Sequence, residues 1–304
     1  MKYLIFGGAG FLGSHLVESL EGDITVVDDL STAKYIELPP NVKLIKDKVE
    51  TFKTTEKFDF VIHLAGRPSP EDYMQHPVET ALSNSLGTYN ALEIARKSDA
   101  VFFYASSSEV YGSAEIIPTP EDYWGKVNPI GPRSAYDESK RFSEALAMAY
   151  FREYGLDVRI QRPFNVYGPR LRESGSHGRV VSRFIYQALK GEDITIIGDG
   201  SQTRAFLYIG DWVEATKKML FTPGLKGEVF NVGTDKETKI IDLAKMIIRL
   251  TNSNSKIRFL PPRPDDPPRR TPDITKARKI LRWEPKVDLE EGLKRTIEWF
   301  KARI

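Results

Sequence analysis

The chain has 304 residues, 40% of them hydrophobic and 28% charged, enough to bury a large core in one or two closely joined domains. No run approaches the roughly 20 apolar residues of a membrane span, and the near-balanced net charge of +2 offers no bulk surface for nucleic acid. Cysteine is absent, which excludes disulfides, thiolate catalysis and Cys-ligated metals; the histidines His15, His63, His76 and His177 show no ligand spacing, so no metal is expected.

The first predicted element is a strand, residues 2–6, which Gly7-Gly8 ends. Its apolar run is too short for a signal-peptide core, and a cytoplasmic protein is expected. Then comes Gly7-Gly8-Ala9-Gly10-Phe11-Leu12-Gly13, after which Leu16, Val17 and Leu20 continue from Leu12 at helical spacing. Strand, glycine turn and helix in that order form a phosphate-binding context. Gly7 permits the tight turn, Gly10 lets the backbone approach a pyrophosphate, and Gly13 lets the helix pack on the strand. The helix N-terminus favours the anion. The spacing is G-x-x-G-x-x-G rather than G-x-G-x-x-G, and a strand-to-helix turn without a ligand is the competing reading. It loses ground at the next strand, 23–28, whose terminal Asp28 falls in range of the ribose-binding acid. An acid there favours NAD over NADP, because it repels a 2′-phosphate.

Further strands are predicted at 42–45, 58–63 and 100–105, as continuous apolar runs typical of buried parallel strands, and another at 158–161. Helices are predicted at 77–97 and 134–154. The alternation predicts an α/β fold, a Rossmann-type doubly wound parallel sheet, with ligands at the carboxyl ends of its strands. Those ends carry Leu64-Ala65-Gly66, Ser106-Ser107-Ser108-Glu109 and Arg162-Pro163-Phe164-Asn165. The helix at 134–154 carries Tyr136-x-x-x-Lys140, two side chains one turn apart on one face. A phenol titrates near pH ~10, and a lysine cation alongside favours the phenolate. Such a pair suits removal of a proton from a sugar hydroxyl while a nicotinamide takes the hydride.

The second half is less regular. Helices are predicted at 179–189, 211–221, 241–250 and 289–300, and a strand at 194–197. Residues 261–268 (PPRPDDPP) form a loop that carries Arg270 over the site. The expected division is an NAD-binding domain at 1–166 and a smaller mixed α/β substrate-binding domain at 167–304, with segments around 205–235 returning to the first. Trp283, Trp299 and Phe300 read as core.

The glycine turn, Ser-Ser-Ser-Glu-Val-Tyr-Gly at 106–112, Tyr136-x-x-x-Lys140, Arg162–Arg170, Gly198–Arg204 and Leu281–Pro285 together resemble the extended short-chain dehydrogenase/reductases of the nucleotide-sugar epimerase/dehydratase group. Within that group the stretch Tyr123–Arg141 is similar to UDP-glucuronate decarboxylases (UDP-xylose synthases). Gly178–Ser182, Asp265–Pro267 and Pro272–Ile274 resemble the same subgroup. The resemblance implies decarboxylation of UDP-glucuronate to UDP-xylose through a 4-keto sugar, with NAD as cofactor, a UDP-sugar as partner, and a homodimer. It implies Tyr136, Lys140, Ser107, Glu109 and Arg270 as catalytic residues. For NAD it implies Gly7, Gly10, Phe11, Leu12, Gly13, Asp28, Asp29, Asp47, Leu64, Ala65, Gly66, Asn84 and Pro163, along with Tyr136 and Lys140. For the substrate it implies Tyr73, Ser107, Asn165, Arg179, Arg204 and Arg270. Dehydratases of the group place an Asp where this chain has Ser108, which disfavours 4,6-dehydration. A UDP-glucose/UDP-galactose 4-epimerase is the alternative, and it has no need of an acid at Glu109. The chain departs from the group at Gly66-Arg67, where Ser is usual at 66, at Ser113, where Asp is usual, and across 172–177.

Overall fold

Apolar runs flanked by glycine or proline become the strands and helices of a layered core. The computed structural model describes residues 1–172, 179–263 and 265–304. The first half runs β1 (Lys2–Phe6), α1 (Phe11–Ser19), β2 (Asp23–Asp28), β3 (Lys43–Lys46), β4 (Phe60–His63), α2 (Pro70–Gln75), α3 (Pro77–Ser98), β5 (Val101–Ala105), α4 (Ser134–Tyr154) and β6 (Val158–Pro163). The second half runs β7 (Val166–Tyr167), α5 (Val180–Lys190), β8 (Ile194–Ile197), β9 (Thr203–Ala205), β10 (Leu207–Tyr208), α6 (Ile209–Phe221), β11 (Glu228–Val232), β12 (Glu237–Lys239), α7 (Ile240–Thr251), β13 (Ile257–Leu260), β14 (Arg269–Arg270) and α8 (Leu289–Lys301). Proline opens α2 and α3, where a missing N–H costs nothing, and Gly155 and Gly191 close α4 and α5 in the left-handed conformation.

Seven strands pair in parallel in the order β11-β6-β5-β4-β1-β2-β3. The chain reverses direction across the sheet between β1 and β4, so their carboxyl ends open the crevice in which such folds take ligands. Alternate residues of each strand enter opposite cores. Tyr3, Ile5, Ile24, Val26, Ile62 and Phe103 face α1 and α6, where Leu16, Trp212 and Met219 lie. Leu4, Phe6, Val61, Phe102 and Ile160 face α3 and α4, where Leu92, Ala95 and Ala147 lie. A third core joins α5, α7 and α8 through Phe184, Leu243, Ile247 and Leu293. Trp283 and Phe300 are buried and Trp299 is partly buried, its ring edge-on to Tyr35.

Two expectations need correction. The strand expected as buried at 42–45 is the exposed edge strand β3, with Leu44 39% accessible; among the described residues no strand pairs with its outer side, so its charged neighbours are tolerated. No helix joins β2 to β3 or β3 to β4, so that wing of the sheet lacks the βαβ alternation. Besides β8, which was expected, the chain between β6 and β14 supplies short strands that were not predicted. Among them β11 extends the main sheet beside β6, and β14 pairs with β9.

Candidate active site

A crevice of about 410 Å³ runs from the glycine turn to β14. At its cofactor end, Gly7 has φ +77°, and a Cβ there would lie 2.5 Å from Ala65 N. A Cβ on Gly13 would lie 2.3 Å from Gly7 O, so α1 must have glycine to seat on β1. Gly10 differs, since its Cβ would meet only Gly7 O at 3.3 Å. Packing therefore presses on Gly10 far less than on Gly7 and Gly13, and Gly10 lines the crevice. The first turn of α1 has neither a side-chain cap nor an acidic residue, leaving its N–H groups for an anion. Asp28 closes the turn from β2: Oδ2 accepts from Ala9 N at 3.0 Å and Oδ1 from Leu30 N at 2.9 Å. Burial raises its carboxyl, and these N–H donors oppose that. Phe11, Leu12, Asp29, Asp47, Leu64, Ala65, Gly66 and Pro163 all line this end. The bare turn, the uncapped helix and the buried acid fit a dinucleotide.

Asn84 does not line the crevice. It is buried behind Gly66, where its Oδ1 would lie 2.8 Å from a Cβ, and it donates to Ser139 Oγ at 2.9 Å. Gly66 also has φ +151°, so a serine there would be strained and crowded. The adjacent Arg67 ties α2 to α3 through Asp72 at 3.0 Å and Glu79 at 2.8 Å.

Tyr136 and Lys140 both line the crevice and both are buried. Burial pushes the Tyr136 phenol up to about 12, while the Ser107 hydroxyl and then Arg179 pull it down. Lys140 was expected to be the group that lowers Tyr136. Instead burial pushes the Lys140 amine itself down to about 7, and its Nζ donates to Ala105 O at 2.9 Å. Taking an ammonium out of water disfavours its charge, and Ser107 and Arg179 are the largest of the groups that pull the phenol down, with Lys140 Nζ 5.8 Å from the Tyr136 ring centroid. Tyr73 was expected to touch the sugar. It stacks on Tyr136 from behind, centroids 4.8 Å apart, with 1% exposure and no place in the crevice wall.

At the sugar end Ser107 caps a 3-10 turn over 108–111, its Oγ accepting from Glu109 N at 3.2 Å, which aims the Glu109 side chain. Arg270 grips Glu109 with both arms, Nη1 to Oε1 at 2.5 Å and Nη2 to Oε2 at 2.8 Å. Arg133 Nη2 reaches Oε2 at 2.5 Å. Burial opposes the charge on Glu109, yet Arg270, Arg133 and Arg204 together hold it below the usual carboxylate range. Arg204 donates to Asp266 Oδ1 at 2.9 Å, and burial followed by the neighbouring Arg270 pushes it down to about 10. Asn165, at φ +40°, donates to Ala205 O at 3.1 Å, and Arg179 donates to Val166 O at 3.4 Å; both side chains line the crevice. Of the two adjacent arginines, Arg270 is 8% exposed and reaches the site, whereas Arg269 pairs with Glu237 on the outside.

Sequence reasoning passed over Arg133 and Asp266 as individual residues. Both lie inside stretches that carry the resemblance, but nothing local marks them as partners of Glu109 and Arg204. Gly178, His177 and the departure at 173–177 lie outside the described residues, as does Pro264 of the proline-rich loop.

The model of the NAD dependent epimerase/dehydratase family matches residues 3–233. UDP-glucuronic acid decarboxylase 1 of Danio rerio is 45% identical across the whole of this chain and 73% of its own length. The UDP-glucose 4-epimerase of Thermotoga maritima, solved with UDP-glucose, superimposes with a TM-score of 0.92 at 34% identity over 99% of both chains. The UDP-glucuronic acid 4-epimerase of Bacillus cereus, solved with UDP-glucuronic acid and NAD, gives 0.89 at 28% identity over 99% of both.

Proposed function

The chain belongs to the NAD dependent epimerase/dehydratase family, and from that premise we propose that it decarboxylates UDP-glucuronate to UDP-xylose through a 4-keto sugar. The observation that carries this reading is Glu109, clasped by Arg270 and Arg133 with Ser108 at its side. A serine cannot supply the acid that a departing hydroxyl requires, and inversion at C4 has no use for a fixed carboxylate. Loss of CO₂ leaves a carbanion-like C5 that must be protonated, and a held carboxylate suits that step.

The glycine turn, Asp28, Asp29, Asp47, the 64–66 strand end, Pro163 and Lys140 would hold NAD, which would supply hydride acceptance and return at the sugar C4. Tyr136 takes the O4 proton, its phenolate favoured by Ser107 and Arg179. The 4-ketone is β to the C6 carboxylate, so the C5–C6 bond breaks with its electron pair passing to O4. Ser107 and Tyr136 donate hydrogen bonds to that enolate oxygen. The C5–H bond then forms with a solvent proton relayed through Glu109. Arg204 and Arg179 hold the diphosphate, and the planar charge of Arg270 suits either that group or the sugar carboxylate.

In the same reading residues 1–166 hold NAD and most of 167–304 hold the nucleotide sugar. The protein is a cytoplasmic homodimer joined through α3 and α4, which pack together and expose Leu82, Leu86, Tyr89 and Phe142. Among the described residues no helix is long and apolar enough to cross a membrane. The test is to give NAD-loaded protein UDP-glucuronate and follow CO₂ and product mass. Interconversion of sugars without CO₂, surviving in Glu109→Ala, would replace this reading with an epimerase, whereas undiminished CO₂ release in Glu109→Ala would remove Glu109 from the step at C5.

A further inference from the structure

Arg133 stands at the foot of α4, three residues before Tyr136, and is 5% exposed. Its guanidinium meets three acids from separate parts of the chain. Nη2 lies 2.5 Å from Glu109, Nη1 lies 3.4 Å from Asp266, and Nε lies 4.0 Å from Asp137. The same group lies over the ring of Tyr73, 6.0 Å from its centroid, and Tyr73 stacks on Tyr136. One side chain therefore links the carboxylate that serves C5 to the helix that carries the base for O4.

A single bidentate arginine already satisfies the charge of Glu109, and Arg270 provides that. The second guanidinium needs another reason. Arg270 comes from the two-residue strand β14 and keeps its own Nε buried without a partner. Arg133 is the N-cap of the 21-residue helix α4, three residues from Tyr136. A carboxylate held by Arg270 alone would move with β14. Held also by Arg133, it keeps its place relative to Tyr136 even when Arg270 turns towards an anionic substrate.

We propose that Arg133 is a positioning residue that fixes Glu109 relative to Tyr136, so that protonation at C5 keeps pace with loss of CO₂. This rests on the decarboxylase reading. When C5–C6 breaks, the electron pair sits on O4 as an enolate. It returns to C5 only when a solvent proton arrives through Glu109, which restores the C4 ketone for reduction. A misplaced Glu109 delays that proton while leaving the earlier bond cleavage intact.

The test uses the full-length, NAD-loaded protein with UDP-glucuronate and compares wild type, Arg133→Met and Arg133→Lys. CO₂ from wild type tests the function itself, independently of the variants. In Arg133→Met, kcat for UDP-xylose is expected to fall roughly 100-fold with KM within about threefold, the pattern of a lost transition-state role. CO₂ is expected to exceed UDP-xylose, with the difference recovered as the UDP-4-keto-pentose and an equal amount of NADH, since the hydride taken from C4 is then not returned. Arg133→Lys keeps one ion pair but not the fork, and is expected to recover about tenfold of the loss with a smaller excess of CO₂. The proposal is overturned if both variants form CO₂ and UDP-xylose one for one, whatever their melting temperature. If Arg133→Met does not fold, the product ratio of Arg133→Lys decides alone.

Discussion

At the cofactor end of the crevice, Gly7, Gly10 and Gly13 present backbone from one short stretch, and the acid that closes the turn, Asp28, follows on the next strand. At the sugar end, Glu109 and Arg270 meet from positions 161 apart, with Arg133, Arg204 and Asp266 drawn in beside them. The first end holds an anion with N–H groups that any sequence carries, once glycine clears the way. The second holds it with charges that are costly to bury and must neutralise one another. Local pattern governs the first end and tertiary contact the second.

The largest effect is expected from Tyr136→Phe, which removes the base from the point where the two ends meet. Turnover should fall by about 10³-fold while bound NAD, measured after denaturation, stays at the wild-type level. A similar loss of NAD would show that the two ends are not separable. Arg270→Ala should cost about 100-fold in turnover through the sugar end alone, again with NAD retained. Gly13→Ala works on the other end. Its Cβ would stand 2.3 Å from Gly7 O, so α1 must shift. Stability should drop by about 1–3 kcal/mol in denaturant melts, with weaker NAD binding.

Lys140 sharpens the comparison through pH. Its folded amine is held at about 7, below the ordinary 10.5, so the unfolded chain binds the additional proton between those values. Stability therefore rises with pH from about 7 towards 9, and Lys140→Met should flatten that slope in thermal melts. The smallest effect is expected from Arg269→Ala, next to Arg270 in sequence but half-exposed and paired only with Glu237. Turnover should stay within about twofold of wild type, since exposed pairs are worth little.

Much was legible without the fold. The glycine turn, Asp28 and the ends of α4 follow from short-range pattern, because a turn, a cap or a helical face is decided by residues a few positions apart. Tyr136 and Lys140 share a helix face for the same reason. The placements of Tyr73 and Asn84 were not legible, because a residue one layer behind the crevice wall has the same sequence signature as one in it. The short strands β9 and β14 carry no periodic signal, yet their pairing is what delivers Arg270.

By itself the sequence determined the sheet's inner strands, the glycine turn and the Tyr/Lys pair, which rest on local steric and periodic constraints, while its motifs carried the resemblance to the family. Only the tertiary structure decided that Arg270 rather than Arg269 enters the site and that Arg133 shares Glu109. It also set how deeply Lys140 is buried beside its tyrosine partner, which pushes the amine down to about 7. Those are questions of charge and solvent exclusion, and both depend on what the remote parts of the chain bring to the same few ångströms.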